Sequence, residues 1–121
     1  MNKDLSSWID QILDQNIPQE VTAFCFNLYE ESDESYAMEV VGTECFDEEN
    51  EDWACSELTN FGSRDDMFIL EKDCDWEEAL EYMVGELNIY LESGKHADLL
   101  KSKNGVGVGF VDGNIEILYT K

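Results

Sequence analysis

The sequence predicts an α+β domain: an antiparallel sheet of about five or six strands, with an N-terminal helix and a long helix packed on one face, closed by a C-terminal β-hairpin. Three patterns predict it. An apolar stripe at helical spacing runs through Trp76, Ala79, Leu80, Met83, Val84, Leu87, Tyr90 and Leu91. Two strand-like runs, 21–29 (VTAFCFNLY) and 36–42 (YAMEVVG), stand on either side of a polar connection. Near the end, Asp112-Gly113 separates two alternating segments.

Residues 3–15 read as an amphipathic helix, with Leu5, Trp8, Ile9, Ile12 and Leu13 on one side. Ile17-Pro18 ends it, because a residue before proline avoids the α region. In 21–29, Thr22, Phe24, Phe26 and Leu28 point one way, and Val21, Ala23, Cys25, Asn27 and Tyr29 the other. Both sets are largely apolar, which predicts a central strand covered on both faces. The stretch 30–35 reads as a loop, so 21–29 and 36–42 form an antiparallel hairpin. An acidic loop follows at 47–52, then a short strand at 53–58 and another at 67–71, with Asn60, Gly62, Ser63, Asp65 and Asp66 as turn residues between them.

The long helix opens with Asp75 as N-cap and Glu78 three residues on, and Gly94 stops it as a C′ residue. Residues 96–101 add a turn or two. In the terminal hairpin a two-residue Asp-Gly turn pairs Phe110 with Ile115, Val108 with Ile117 and Val106 with Tyr119, all six on one face. Gly105, Gly107 and Gly109 then share the other face with Glu116, Leu118 and Thr120. A strand with so bare a face predicts that a helix or another backbone comes close to it. No repeat or linker interrupts the chain, so residues 1–121 form one domain.

Charge narrows the function. Twenty-nine Asp and Glu against 7 Lys and Arg give a net charge of −22. Binding to nucleic acid phosphates or to an anionic membrane surface is excluded, since both need clustered cations. Disorder is excluded too, because hydrophobic residues make up 43% and aromatics 12%. From Asp4 to Ser63 there are 16 acids and no Lys or Arg, and 11 of the acids fall within 30–52. Solubility is the plain explanation of such a surface; the sharper one is a strongly basic partner. No transmembrane span or signal peptide is evident, so the cytoplasm is the expected compartment, with thiols reduced.

Catalytic and cofactor motifs do not emerge. Gly105-Val-Gly107-Val-Gly109 leads into a hairpin turn rather than a helix, which is wrong for a dinucleotide or phosphate loop. His96 is the sole histidine and reads as a solvated or capping residue. Cys25, Cys45, Cys55 and Cys74 form no Cys-x-x-Cys pair, which argues against zinc, and the 47–52 run lacks the glycine of an EF-hand loop, leaving only weak calcium association. The expectation is a protein that is not an enzyme and needs no cofactor or metal. What does recur is acid beside aromatics: Tyr29 and Tyr36 bracket 30–35, and Phe46 and Trp53 bracket 47–52. The candidate partner-binding residues are therefore Glu30, Glu31, Asp33 and Glu34 from one loop and Asp47, Glu48, Glu49, Glu51 and Asp52 from the other, with Trp53 as the aromatic anchor.

Phe24-Cys-Phe-Asn-Leu-Tyr-Glu30, Phe46-Asp-Glu-Glu-Asn-Glu-Asp-Trp53-Ala-Cys55 and Gly109-Phe-Val-Asp-Gly-Asn-Ile-Glu116, set in a small acidic α+β chain, resemble the immunity proteins of bacterial toxin systems, including contact-dependent inhibition. The resemblance implies a cytoplasmic antitoxin that binds and blocks a cognate basic toxin domain, often a nuclease. A DNA-mimic inhibitor of a nucleic-acid-binding enzyme shares the same electrostatics and is the alternative.

Overall fold

The computed structural model describes residues 5–14, 17–32, 35–47, 49, 53, 57–62, 67–71, 75–110 and 115–120, with the backbone alone at 31–32 and 57–62. The element order is α1 (Leu5–Leu13), β1 (Ala23–Ser32), β2 (Ser35–Thr43), β3 (Glu57–Gly62), β4 (Phe68–Glu71), α2 (Trp76–Ser93), α3 (Ala97–Lys101), β5 (Gly105–Phe110) and β6 (Glu116–Thr120). The six strands form one sheet in the order β3-β2-β1-β5-β6, with β4 also on β2. β4 takes residues 35–38 of β2 and β3 takes 41–43, so the two short strands share one edge.

The α+β architecture is as expected, but the sheet is mixed rather than antiparallel. β1 and β5 run parallel at its centre, in register from Ala23↔Gly105 to Leu28↔Phe110. Parallel neighbours need a long crossover, and the segment carrying α2 and α3 supplies it. The β1–β2 hairpin is antiparallel as predicted, but it is longer. Ser32 pairs with Ser35, so Glu30 belongs to a strand and not to a loop. β3 lies at 57–62 rather than 53–58, and it takes in Asn60 and Gly62, which were expected in a turn.

Alternation along the central strands builds two cores. Phe24, Phe26 and Leu28 of β1 face the helices with Tyr36, Met38, Val40, Val106 and Val108. Against them pack Leu5, Trp8, Ile9, Ile12 and Leu13 of α1 and Ala79, Met83, Leu87, Tyr90 and Leu91 of α2. Asp75 caps α2: it is extended (φ −80°, ψ 174°), and its carboxylate accepts the Glu78 N–H at 2.9 Å. Gly94 ends α2 for a different reason than expected. Its φ is −72°, not left-handed. A Cβ there would lie 2.5 Å from the Tyr90 ring, so glycine is needed for room.

The opposite face carries a smaller cluster of Ala23, Cys25, Val41 and Trp53, joined by Phe46, Ile115 and Ile117. Ile115 and Ile117 are there because the terminal hairpin departs from its predicted register. Gly105↔Thr120 and Val106↔Tyr119 are as expected. One extra residue, Leu118, is then accommodated on β6, so Gly107 faces Ile117 and Val108 faces Glu116. The bulge leaves Leu118 and Tyr119 on the helix side and turns Ile117 and Ile115 onto the glycine side. The Asp112-Gly113 turn itself lies outside the described residues.

Candidate partner-binding surfaces

The glycine strand explains where the second acidic segment sits. A Cβ on Gly105 would meet the Phe46 ring at 2.2–2.7 Å, and one on Gly107 would meet Ile115 at 2.8 Å and the Trp53 ring at 3.0–3.2 Å. Phe46 and Trp53 stack edge to face at 4.8 Å. At Gly105 and Gly107 the bare face is therefore covered by the side chains of Phe46, Trp53 and Ile115 rather than by a helix or another backbone. Between Phe46 and Trp53 in sequence, Asp47 and Glu49 are exposed, and the Asp47 carboxylate accepts the Glu49 N–H at 2.9 Å.

Trp53 does not take the anchor position expected of it. It is 2% exposed and holds its own segment onto β1 and β5, so it offers no ring to a partner. Its indole N–H has no hydrogen-bond acceptor among the described residues. Trp76 changes in the opposite direction. It heads the apolar stripe of α2, yet it is 51% exposed, while Ala79 three residues on is fully buried.

The two acidic segments lie at opposite ends of β1. Thr43, just before one of them, pairs with Ala23, whereas Glu30 pairs with Tyr36. Seven residues of strand separate these levels, about 24 Å. Among the described residues, Glu30 therefore lies at one end of the strand, and Asp47 and Glu49 follow from the other. Glu30 is exposed and two residues beyond buried Leu28, on the helix-facing side. Glu48, Asp33, Glu34, Glu51, Asp52 and the Glu31 side chain lie outside the described residues.

At the Glu30 end, three rings form a chain. Tyr36 meets Phe110 at 6.0 Å, and Phe110 meets Trp76 at 6.1 Å with the planes 88° apart. Glu30, Glu71, Asp75, Glu77 and Glu78 are exposed around them. The lysines among the described residues, Lys95, Lys101 and Lys103, are at the other end, past the C-terminus of α2 and beside the start of β5.

Two polar groupings were not foreseen from the sequence. On the face away from the helices, the Tyr29 hydroxyl donates to Glu39 Oε1 at 2.9 Å and Asn27 Nδ2 donates to the same oxygen at 3.4 Å. The Cys25 thiol donates to Asn27 Oδ1 at 3.3 Å. Glu39 is fully buried. Asn27 and Glu39 are cross-strand partners, so the network ties β1 to β2. The signal was present: Asn27 and Glu39 are the odd polar residues in two otherwise apolar runs.

The second grouping ties α1 to the end of α2. The Tyr90 hydroxyl donates to Asp10 at 2.6 Å and accepts the His96 N–H at 3.1 Å. The His96 ring and Lys95 Nζ reach Asp14 at 2.7 and 3.2 Å. His96 precedes α3 but makes no side-chain cap, so its ring serves as a tie to α1. Hydrogen bonds from His96, then from Lys95, hold the Asp14 carboxyl below the usual range. Burial, then the bond to Asp10, pushes the Tyr90 phenol well above its ordinary value, so it remains a donor.

Among the described residues, no group of three or more His, Cys, Asp or Glu is arranged to hold a metal ion. No helix among them is long and apolar enough to cross a membrane. Cys25 is buried and Cys45 exposed, and neither is in a disulfide. No family model matches the chain, and neither a curated protein nor a solved structure matches it. The fold and surface define an acidic α+β domain with a mixed sheet. It carries one exposed aromatic end free of cations among the described residues.

Proposed function

We propose that this protein is an immunity protein: a cytoplasmic, non-enzymatic inhibitor that binds and neutralises a cognate basic toxin domain through its acidic surface. The observation that carries the proposal is a net charge of −22 on a folded domain. A nuclease is the class of toxin it fits best. Such an enzyme must present positive charge to its substrate, and an acidic inhibitor occupies that charge or its flank. Opposite fields also speed encounter, which suits a protein that must meet its toxin before damage is done.

The test is an affinity pull-down from the native strain expressing the complete toxin locus, with mass spectrometry of what co-purifies. One basic domain encoded beside this protein's gene is the expected result. Recovery of many unrelated DNA-binding proteins, all released by added DNA, would instead identify a DNA mimic and overturn the proposal. Recovery of no basic partner would overturn it as well.

A further inference from the structure

We infer that the basic partner docks on the Trp76 end of the molecule, with the Trp76 ring receiving a partner arginine or lysine. The inference rests on the function proposed above and assigns its surface. Trp76 is the largest of the exposed apolar side chains among the described residues, at 51%. Edge-to-face contact with Phe110 holds its position, and Phe110 is held in turn by Tyr36. A ring fixed before binding loses little rotamer freedom when a partner arrives.

The surroundings select the occupant. The face of an indole attracts a cation through its quadrupole. Glu30, Glu71, Asp75, Glu77 and Glu78 are exposed at the same end, and with Lys72 and Asp73 offsetting each other in the 71–75 sequence they add a field of the same preference. The Asp75 carboxylate accepts the Glu78 N–H, which fixes it at the helix N-terminus that Trp76 opens. A second copy of this chain carries −22 itself and is repelled. Trp and Arg are both among the residues enriched where binding energy concentrates. The 47–52 segment differs in kind: its bracketing aromatics, Phe46 and Trp53, are spent on β5, and what it presents is charge. It acts in steering, and the Trp76 end acts in holding.

The two roles separate kinetically. With the basic domain recovered by the pull-down as probe, Trp76→Ala is expected to speed dissociation about tenfold or more, as at a hot spot. Trp76→Leu, which keeps bulk without the quadrupole, falls nearly as far if a cation is held there, and Trp76→Phe recovers part of the loss. Joint reversal of Glu48, Glu49 and Glu51 to lysine slows association and flattens its salt dependence, with dissociation little changed. Thermal melts of each variant verify folding. Independently, an octa-arginine peptide titrated into nitrogen-15-labelled protein shifts the Trp76 indole N–H signal first, assigned by its loss in Trp76→Phe, and leaves that of buried Trp53 in place. If the basic domain binds folded Trp76→Ala with unchanged dissociation, the docking surface is wrong while the immunity function stands. If no basic domain binds the wild-type protein, the function fails and the docking surface with it.

Discussion

Replacing Gly107 by alanine adds one methyl group where the space is already filled. The new Cβ would lie 2.8 Å from an Ile115 methyl and 3.0 and 3.2 Å from two atoms of the Trp53 ring. Trp53 is 2% exposed, so the ring has little room to retreat without leaving the cluster. Overpacking of this kind costs about 1–3 kcal/mol. A domain of this length has an unfolding entropy of about 0.25 kcal/mol/K, so a loss of about 2 kcal/mol lowers Tm by about 8 °C. Gly85 provides the opposite case with the same chemical change. It lies in the exposed side of α2, and a Cβ there meets nothing within 4 Å. Gly85→Ala removes only backbone freedom from the unfolded chain and should add about 0.5–1 kcal/mol, raising Tm by about 2–4 °C. Thermal and urea melts of both variants against wild type make the comparison, with the urea m-value unchanged in each. A Gly107→Ala protein that melts at or above wild type would refute the packing of aromatics onto the glycine strand. A Gly85→Ala protein that melts below wild type would refute the argument from open space.

Tyr90→Phe should cost about 2 kcal/mol in a urea melt, because it removes a bond to a carboxylate and leaves the His96 N–H without its acceptor. Asp75→Ala should cost about 1 kcal/mol, near 4 °C in Tm, through the lost N-cap. The Asp14 carboxyl is held low in the folded state, so its contribution is complete above its unfolded value and is lost as pH falls through the lower folded one. Melts of wild type and Asp14→Asn should therefore differ at pH 5 and converge in more acid solution. A difference that persisted at pH 2 would exclude the carboxylate as its source.

Much of the scaffold was legible because one pattern decided it. The helical period of 76–91 and the cap at Asp75 are local signals, and α2 forms where they place it. The direction of β5 was not legible: a strand buried on both faces reads the same beside a parallel or an antiparallel neighbour. The bulge at Leu118 was hidden for a related reason. An unbroken register also put apolar residues opposite one another, and only packing against Trp53 favours turning Ile115 and Ile117 over. The two tryptophans show the limit for the site. Trp53 follows an acidic run and looked exposed; Trp76 opens an apolar stripe and looked buried. What decides them is distant in sequence: Trp53 is covered at the bare glycines of β5, and Trp76 meets Phe110 edge to face and is otherwise half exposed. The alternating glycines marked a close approach, but nothing local named the side chains that make it.

The parallel pairing at the centre of the sheet has a consequence for synthesis. β1 can pair with β2 soon after both have emerged, but its other edge waits for β5, whose residues follow their partners by 82 positions. At about 5–20 residues per second that interval is roughly 4–16 s. Throughout it, the run from Phe24 to Leu28 has an unpaired backbone edge and exposed aromatic side chains, a template for association with other nascent chains. The acids of residues 30–52 are made directly after that strand and before any lysine or arginine other than Lys3. Their mutual repulsion opposes association of half-built sheets until β5 arrives, so the acidic charge acts on the chain while it is being made as well as on the finished surface.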